Sequence, residues 1–193
     1  PRRSARRQTS TVGGQTAGGG RAISGYDGET PPVSGFRPMP DLALYQPDIP
    51  QNTGTILRLS ACLGVAVHLI EPAGFPLSDH ALRRAGMDYL ERAALVRHVT
   101  FEAFEPWRRA EGRNLVLLTT GSSRPYTEHA FSGHDILMLG RESSGVPDSV
   151  HALADERVTV PMMEGMRSLN VAVAGAMVLG EALRQTGAFP LPA

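Results

Sequence analysis

The sequence predicts an α/β fold with a mostly parallel sheet and helices on both faces. Three observations carry this. Six short apolar runs recur along residues 41–193, longer helical patterns separate them, and loops rich in Gly, Ser and Thr follow several of the runs. Strand and helix in alternation imply parallel pairing, because parallel neighbours need a crossover connection and helices usually supply it.

The expected strands are residues 42–45, 65–70, 95–99, 115–119, 136–139 and 158–160. Each is a continuous apolar run of the kind found in strands buried on both sides. The expected helices are residues 53–63, 78–86, 100–111 and about 169–185. No internal repeat is visible. Residues 1–40 are Gly, Ser, Thr, Pro and Arg with almost no apolar periodicity. Such a stretch cannot bury enough surface to offset its ordering entropy, so it reads as a flexible tail ahead of one domain.

The net charge of zero hides an asymmetry. Residues 1–40 carry six Arg against two acidic residues, whereas residues 41–193 carry thirteen Arg against seventeen. An acidic body disfavours indiscriminate coating of nucleic acid, whose affinity comes from phosphate neutralisation. All nineteen basic residues are Arg. A lysine base, a Schiff base and a G-x-x-x-x-G-K-[ST] phosphate loop are therefore excluded, and planar guanidinium forks remain for anions. The single cysteine, Cys62, rules out an intramolecular disulfide and a Cys-based zinc site, and fits a reducing compartment. The six histidines lack ligand spacing and read as surface or packing residues, so no metal site is expected. No apolar run approaches the roughly 20 residues that span a bilayer, and the chain is expected to be cytoplasmic.

Ligands of parallel sheets collect at the carboxyl ends of the strands. Three loops lie there: Thr119-Thr120-Gly121-Ser122-Ser123, Gly140-Arg141-Glu142-Ser143-Ser144-Gly145, and residues 161–168. Taken singly, each also reads as a plain turn. Gly140 and Gly145 allow tight turning after a strand, and Glu142 between them can accept hydrogen bonds from exposed loop amides. Ser168 is placed to cap the last helix, and Asn170 to bridge neighbouring loop backbone. Ala172, Ala174, Gly175 and Ala176 make that helix small on one side.

Three segments in order resemble the SPOUT superfamily of knotted RNA methyltransferases, most closely its tRNA (cytidine/uridine-34-2′-O)-methyltransferase family. They are the Pro47-Asp48-Ile49-Pro50-Gln51-Asn52-Thr53-Gly54 loop with its N-x-G-x-x-x-R pattern ending at Arg58, the Gly140-to-Gly145 loop with Val146-Pro147, and Val160-Pro161-Met162 followed by Met166-Arg167-Ser168-Leu169-Asn170. The stretch 82–89 is also similar. The resemblance implies a C-terminal trefoil knot, a homodimer through the knot region, S-adenosylmethionine as cofactor and the anticodon loop of tRNA as partner. It implies that Leu118, Gly140, Val160, Ser168 and Leu169 hold the cofactor, with Asn52, Glu142 and Asn170 supporting the site. It also assigns Arg58 to catalysis. A guanidinium, a strong cation and a poor proton acceptor, serves best by stabilising a developing alkoxide and clamping a phosphate. Arg83, Arg84, Arg141 and Arg167 are expected to hold RNA backbone. Methylation of another tRNA or ribosomal RNA ribose, and a non-catalytic knotted binding module, are the alternatives.

Overall fold

In the computed structural model, which describes residues 38–77 and 94–191, the chain begins with β1 (Asp41–Tyr45), α1 (Pro50–Leu63), β2 (Ala66–Ile70) and β3 (Ala94–His98). It continues with α2 (Phe101–Ala110), β4 (Asn114–Leu118), β5 (Asp135–Leu139), α3 (Asp148–Leu153), β6 (Glu156–Val158) and α4 (Val171–Thr186). The strands form one sheet in the order β3-β2-β1-β5-β4-β6. Every pairing is parallel, so the sheet is wholly rather than mostly parallel. The helix expected over residues 78–86, with Arg83 and Arg84, lies outside the described residues, as does the tail up to residue 37.

Both faces of the sheet are covered. Leu42, Leu44, Val67, Val116, Leu137 and Leu139 pack against Ile56 and Leu57 of α1 and Val178, Leu179, Ala182 and Leu183 of α4. On the opposite face Ala43, Tyr45, Leu115, Leu117, Ile136 and Met138 pack against Phe101 and Phe104 of α2 and Val150 of α3. Burial on both sides removes the apolar–polar alternation of a half-exposed strand, which is why the strands read as unbroken apolar runs.

Three elements depart from their expected bounds by two residues or more, the other described ones by a single residue. Helix α1 starts at Pro50, not residue 53, with Ile49 extended before it. Proline suits a first helical position, where its missing N–H would have no partner and its fixed φ is already helical. The last strand is Glu156–Val158 instead of 158–160. It is an edge strand that pairs only with Val116 to Leu118, after which Thr159 bridges Pro125. Its outer residues are polar, so the apolar run alone misplaced it. Helix α4 starts at Val171, and its cap is Asn170, whose side chain accepts from the amides of Ala172 and Val173 at 2.9 and 3.3 Å. Ser168 therefore does not cap it. Helix α3 was not foreseen, because six residues are too few to establish a helical period.

A buried polar cluster contributes to the acid response. His68 Nδ1 and His98 Nε2 lie 3.1 Å apart under Phe104 and Trp107, and His68 Nε2 is 3.6 Å from Asp41 Oδ2, which Arg113 also pairs at 2.6 Å. Burial, reinforced by neighbouring His68, pushes the pKa of His98 from 6.5 down to about 4. The folded state thus excludes a proton that the unfolded chain accepts. The contribution of His98 to stability is complete above pH 6.5 and is lost as pH falls toward 4. Stability should fall by roughly 2 kcal/mol between pH 7 and pH 5 through this group. Thermal melts across that range would detect it, and His98→Gln should flatten the slope.

Candidate functional site

A cleft of about 450 Å³ opens at the carboxyl ends of β4, β5 and β6. The β4 end contributes Leu118, Thr119 and Thr120, and the β5 end contributes the run from Gly140 to Val146. The β6 end contributes Thr159, Val160 and Met162, and the approach to α4 contributes Ser168, Leu169 and Asn170. Ile49 and Asn52, from the start of α1, close one side. The structure thus brings Leu118, Gly140, Val160, Ser168 and Leu169 to one cleft, although the first and last are 51 positions apart in sequence. Leu117, Leu139, Val171 and Ala174 add apolar surface, while hydroxyls and main-chain groups supply polarity.

Backbone contact shapes the central loop. Arg141 and Gly145 exchange two main-chain hydrogen bonds, of 2.9 and 2.8 Å. The turn is so close that a Cβ on Gly140 would sit 2.7 Å from the carbonyl carbon of Gly145. Gly145 itself has φ of +68°, a conformation that favours glycine.

A hydrogen-bonded relay joins this loop to both flanking helices. Glu142 accepts from the amide of Asp48 at 2.8 Å and from Asn52 Nδ2 at 3.1 Å. Asn52 Oδ1 in turn accepts from Asn170 Nδ2 at 2.9 Å, and Asn170 Oδ1 caps α4. Glu142, Asn52 and Asn170 are thereby one chain of contacts linking the three motifs. Each carbonyl or carboxylate oxygen accepts and each amide nitrogen donates, so no side chain in the relay is mismatched.

Beside the relay, Arg141 Nη2 donates to Asp48 Oδ1 at 2.7 Å, and the other oxygen of Asp48 accepts from the amide and hydroxyl of Ser143. The Arg141 hydrogen bond, followed by that of Ser143, holds the Asp48 carboxyl down at about 2. Arg141, expected among the RNA contacts, is therefore committed to an ion pair within the protein. Arg167 is exposed in the segment leading to the cleft. Arg58 is exposed on α1 and is not among the residues that line the cleft of its own chain. The inward side of α1 is taken by Thr53, Gly54, Ile56, Leu57 and Ser60.

Ile49, Met162 and His151 also line the cleft and were not singled out. His151 reaches it from α3, and the available signal was Pro147 followed by Asp148, a proline ahead of an acidic first turn. Ile49 and Met162 are ordinary apolar residues whose role only the meeting of the loops reveals.

Comparison with known proteins agrees with this geometry. The model of the SpoU rRNA methylase family matches residues 40–180. The tRNA (cytidine(34)-2′-O)-methyltransferase of Beijerinckia indica subsp. indica is 67% identical over 148 residues, covering 77% of this chain and 92% of the relative. A solved structure described as giving insight into the 2-OH methylation of C/U34 on tRNA is 40% identical with a TM-score of 0.71, over 76% of this chain and 95% of that one. An AdoMet-bound rRNA methyltransferase from Sinorhizobium meliloti is 28% identical with a TM-score of 0.69, over 77% of this chain and 57% of that one. The wholly parallel sheet, the three loops gathered at its carboxyl edge and these likenesses place the chain in the SpoU rRNA methylase family, beside its tRNA (cytidine(34)-2′-O)-methyltransferases.

Proposed function

We propose that this protein transfers a methyl group from S-adenosylmethionine to the ribose 2′-hydroxyl of the wobble nucleotide of tRNA, acting in the cytoplasm as a homodimer. The observation that carries the reading is the single cleft in which the three motifs converge. Its chemistry suits an adenosyl group. Leu117, Leu139 and Val160 offer apolar surface to a flat ring, and the turns at Leu118, Gly140 and Leu169 offer main-chain donors and acceptors. A volume of about 450 Å³ lies within the range of small-molecule pockets. Leu118, Gly140, Val160, Ser168 and Leu169 would hold the cofactor, and the Glu142–Asn52–Asn170 relay would keep the walls in register.

When bound, S-adenosylmethionine supplies an electrophilic methyl group on a sulfonium. The protein's task is then positioning and charge stabilisation. The Arg58 guanidinium stabilises the developing 2′-alkoxide and orients the adjacent phosphate, while the hydroxyl proton passes to a phosphate oxygen or water. Arg167, together with Arg83 and Arg84, grips the RNA backbone. Because Arg58 stands outside its own cleft, the homodimer supplies the missing juxtaposition: one protomer presents Arg58 toward the cleft of its partner. Exposed Met163, Met166, Val173 and Met177, which follow one another just before and along α4, support such an assembly, since several exposed apolar side chains together favour a protein partner. In this reading the segment between β6 and α4 is threaded as the trefoil knot of the family.

Two measurements test the proposal. Incubation with labelled cofactor and bulk tRNA should place the label on the ribose of the wobble nucleotide, and label confined to ribosomal RNA would overturn the substrate assignment. Arg58→Ala should keep adenosylhomocysteine binding within about twofold while lowering methyl transfer by about 10²-fold or more, the scale of losing a charge-stabilising donor. Turnover close to wild type would remove Arg58 from the mechanism.

A further inference from the structure

We infer that Asp48 and Arg141 form an ionic latch that sets the position of the cofactor-cleft loop relative to α1, which makes both of them positioning residues and Arg141 no ligand of RNA. The inference rests on the cofactor reading above and adds to it a device that joins one residue of the first motif segment to one of the second.

Asp48 lies between β1 and α1 and contacts three consecutive residues of the loop after β5. Its Oδ1 accepts from Arg141 Nη2 at 2.7 Å and Nε at 3.2 Å, its Oδ2 accepts from the Ser143 amide at 3.2 Å and from the Ser143 hydroxyl, and its own amide donates to Glu142 at 2.8 Å. The segment around Asp48 is backed from behind. Gly74 donates its amide to the Pro47 carbonyl at 2.9 Å and approaches so closely that a Cβ there would lie 3.1 Å from the Asp48 Cα. Asp48 is thus a fixed post to which the cleft loop is tied. Arg141, Glu142 and Ser143 all line the cleft, so moving the post moves its wall.

The same contacts argue against Arg141 as an RNA contact. The Nε and Nη2 of its guanidinium are spent on Asp48, and Nη1 stands 3.4 Å from Gln46 Oε1. A phosphate brought to this guanidinium would meet the Asp48 carboxylate beside it, so repulsion offsets most of the attraction. Because the pair is ionised throughout the neutral range, the latch is closed wherever the enzyme would work.

The test is a double-mutant cycle on the full chain, with Asp48→Asn, Arg141→Met and the double variant, read by calorimetric titration with adenosylhomocysteine and by tRNA binding to the cofactor-free protein. Each single change should weaken adenosylhomocysteine by about tenfold, and the double change should weaken it no further, the non-additivity expected of one shared contact. The cofactor KM should rise while kcat and tRNA affinity stay within about twofold, a split that general loosening of the fold would not produce. Arg141→Lys, which keeps the charge and loses the fork, should give an intermediate loss and covers the case in which the methionine variant does not fold. Strictly additive losses, or unchanged cofactor affinity in the single variants, would overturn the latch. So would weakened tRNA binding in Arg141→Met alone, which would make Arg141 an RNA ligand. Failure of the wild-type chain to take up adenosylhomocysteine would instead defeat the cofactor reading itself.

Discussion

Gly140→Ala is expected to weaken adenosylhomocysteine binding by about 100-fold, whereas Gly145→Ala should cost no more than about tenfold. The contrast comes from what each new methyl group meets. At position 140 it would stand 2.7 Å from the carbonyl carbon and 2.8 Å from the Cα of Gly145, both main-chain atoms that no rotamer change can move. Relief requires opening the turn, which breaks the 2.9 and 2.8 Å bonds between Arg141 and Gly145 and displaces the wall carrying Glu142. Overpacking of this kind costs about 1–3 kcal/mol in stability, and here the strain falls on the ligand-binding surface itself. At position 145 the methyl meets nothing within 4 Å, and the cost is that of φ at +68°, about 1–2 kcal/mol for a residue with a side chain. Calorimetric titration of both variants checks the ranking, and equal behaviour would show that the tight turn is not what holds the cleft open.

Arg108→Met should lower global stability by about 3 kcal/mol, and the melting temperature by about 10 °C, while leaving cofactor affinity within about twofold. Arg108 is 2% exposed and binds both oxygens of Glu105 at 2.7 and 2.8 Å, Asp155 Oδ2 at 2.7 Å, and the Arg113 carbonyl. Burial raises the pKa of Glu105, but hydrogen bonds from Arg108 and then Arg109 outweigh it and leave the group lowered. Removing the guanidinium would strand that buried carboxylate with only Arg109, whose Nε lies 2.6 Å from Oε1. Asp155 also accepts from the Leu115 amide at 2.7 Å, so the cluster ties α2 to the start of β4. The cleft lies at the other end of that strand, which is why stability and ligand binding should separate. Thermal melts paired with adenosylhomocysteine titration would check this, and a parallel loss of both would show that the two ends of the sheet are coupled.

Much of the architecture is legible in local chemistry. Runs such as Leu42 to Tyr45 and Ile136 to Leu139 announce strands because both of their faces are apolar, and the loops after β4 and β5 announce a ligand edge because Gly and hydroxyl residues follow the strands. Local reading fails where a neighbour decides. The edge strand is polar at Glu156 and Arg157 because its outer side is open, and α4 begins two residues late because Asn170, fixed by Asn52, supplies the cap. Arg58 follows the same rule in reverse. Its motif is plain in sequence, yet only the folded chain shows that it stands exposed on α1 and apart from the residues lining the cleft.

The sequence by itself determined that strands and helices alternate, that the strands are buried on both faces, and that Gly140 and Gly145 bracket a turn at the sheet's carboxyl edge. Tertiary structure alone decided which polar groups meet: Asp48 with Arg141 across 93 residues, Glu142 with Asn52 across 90, and Asn170 with Asn52 across 118. The division has a physical cause. Backbone preference and apolar periodicity act between near neighbours and leave a trace in composition, whereas a hydrogen bond between distant side chains depends only on where the folded sheet delivers them.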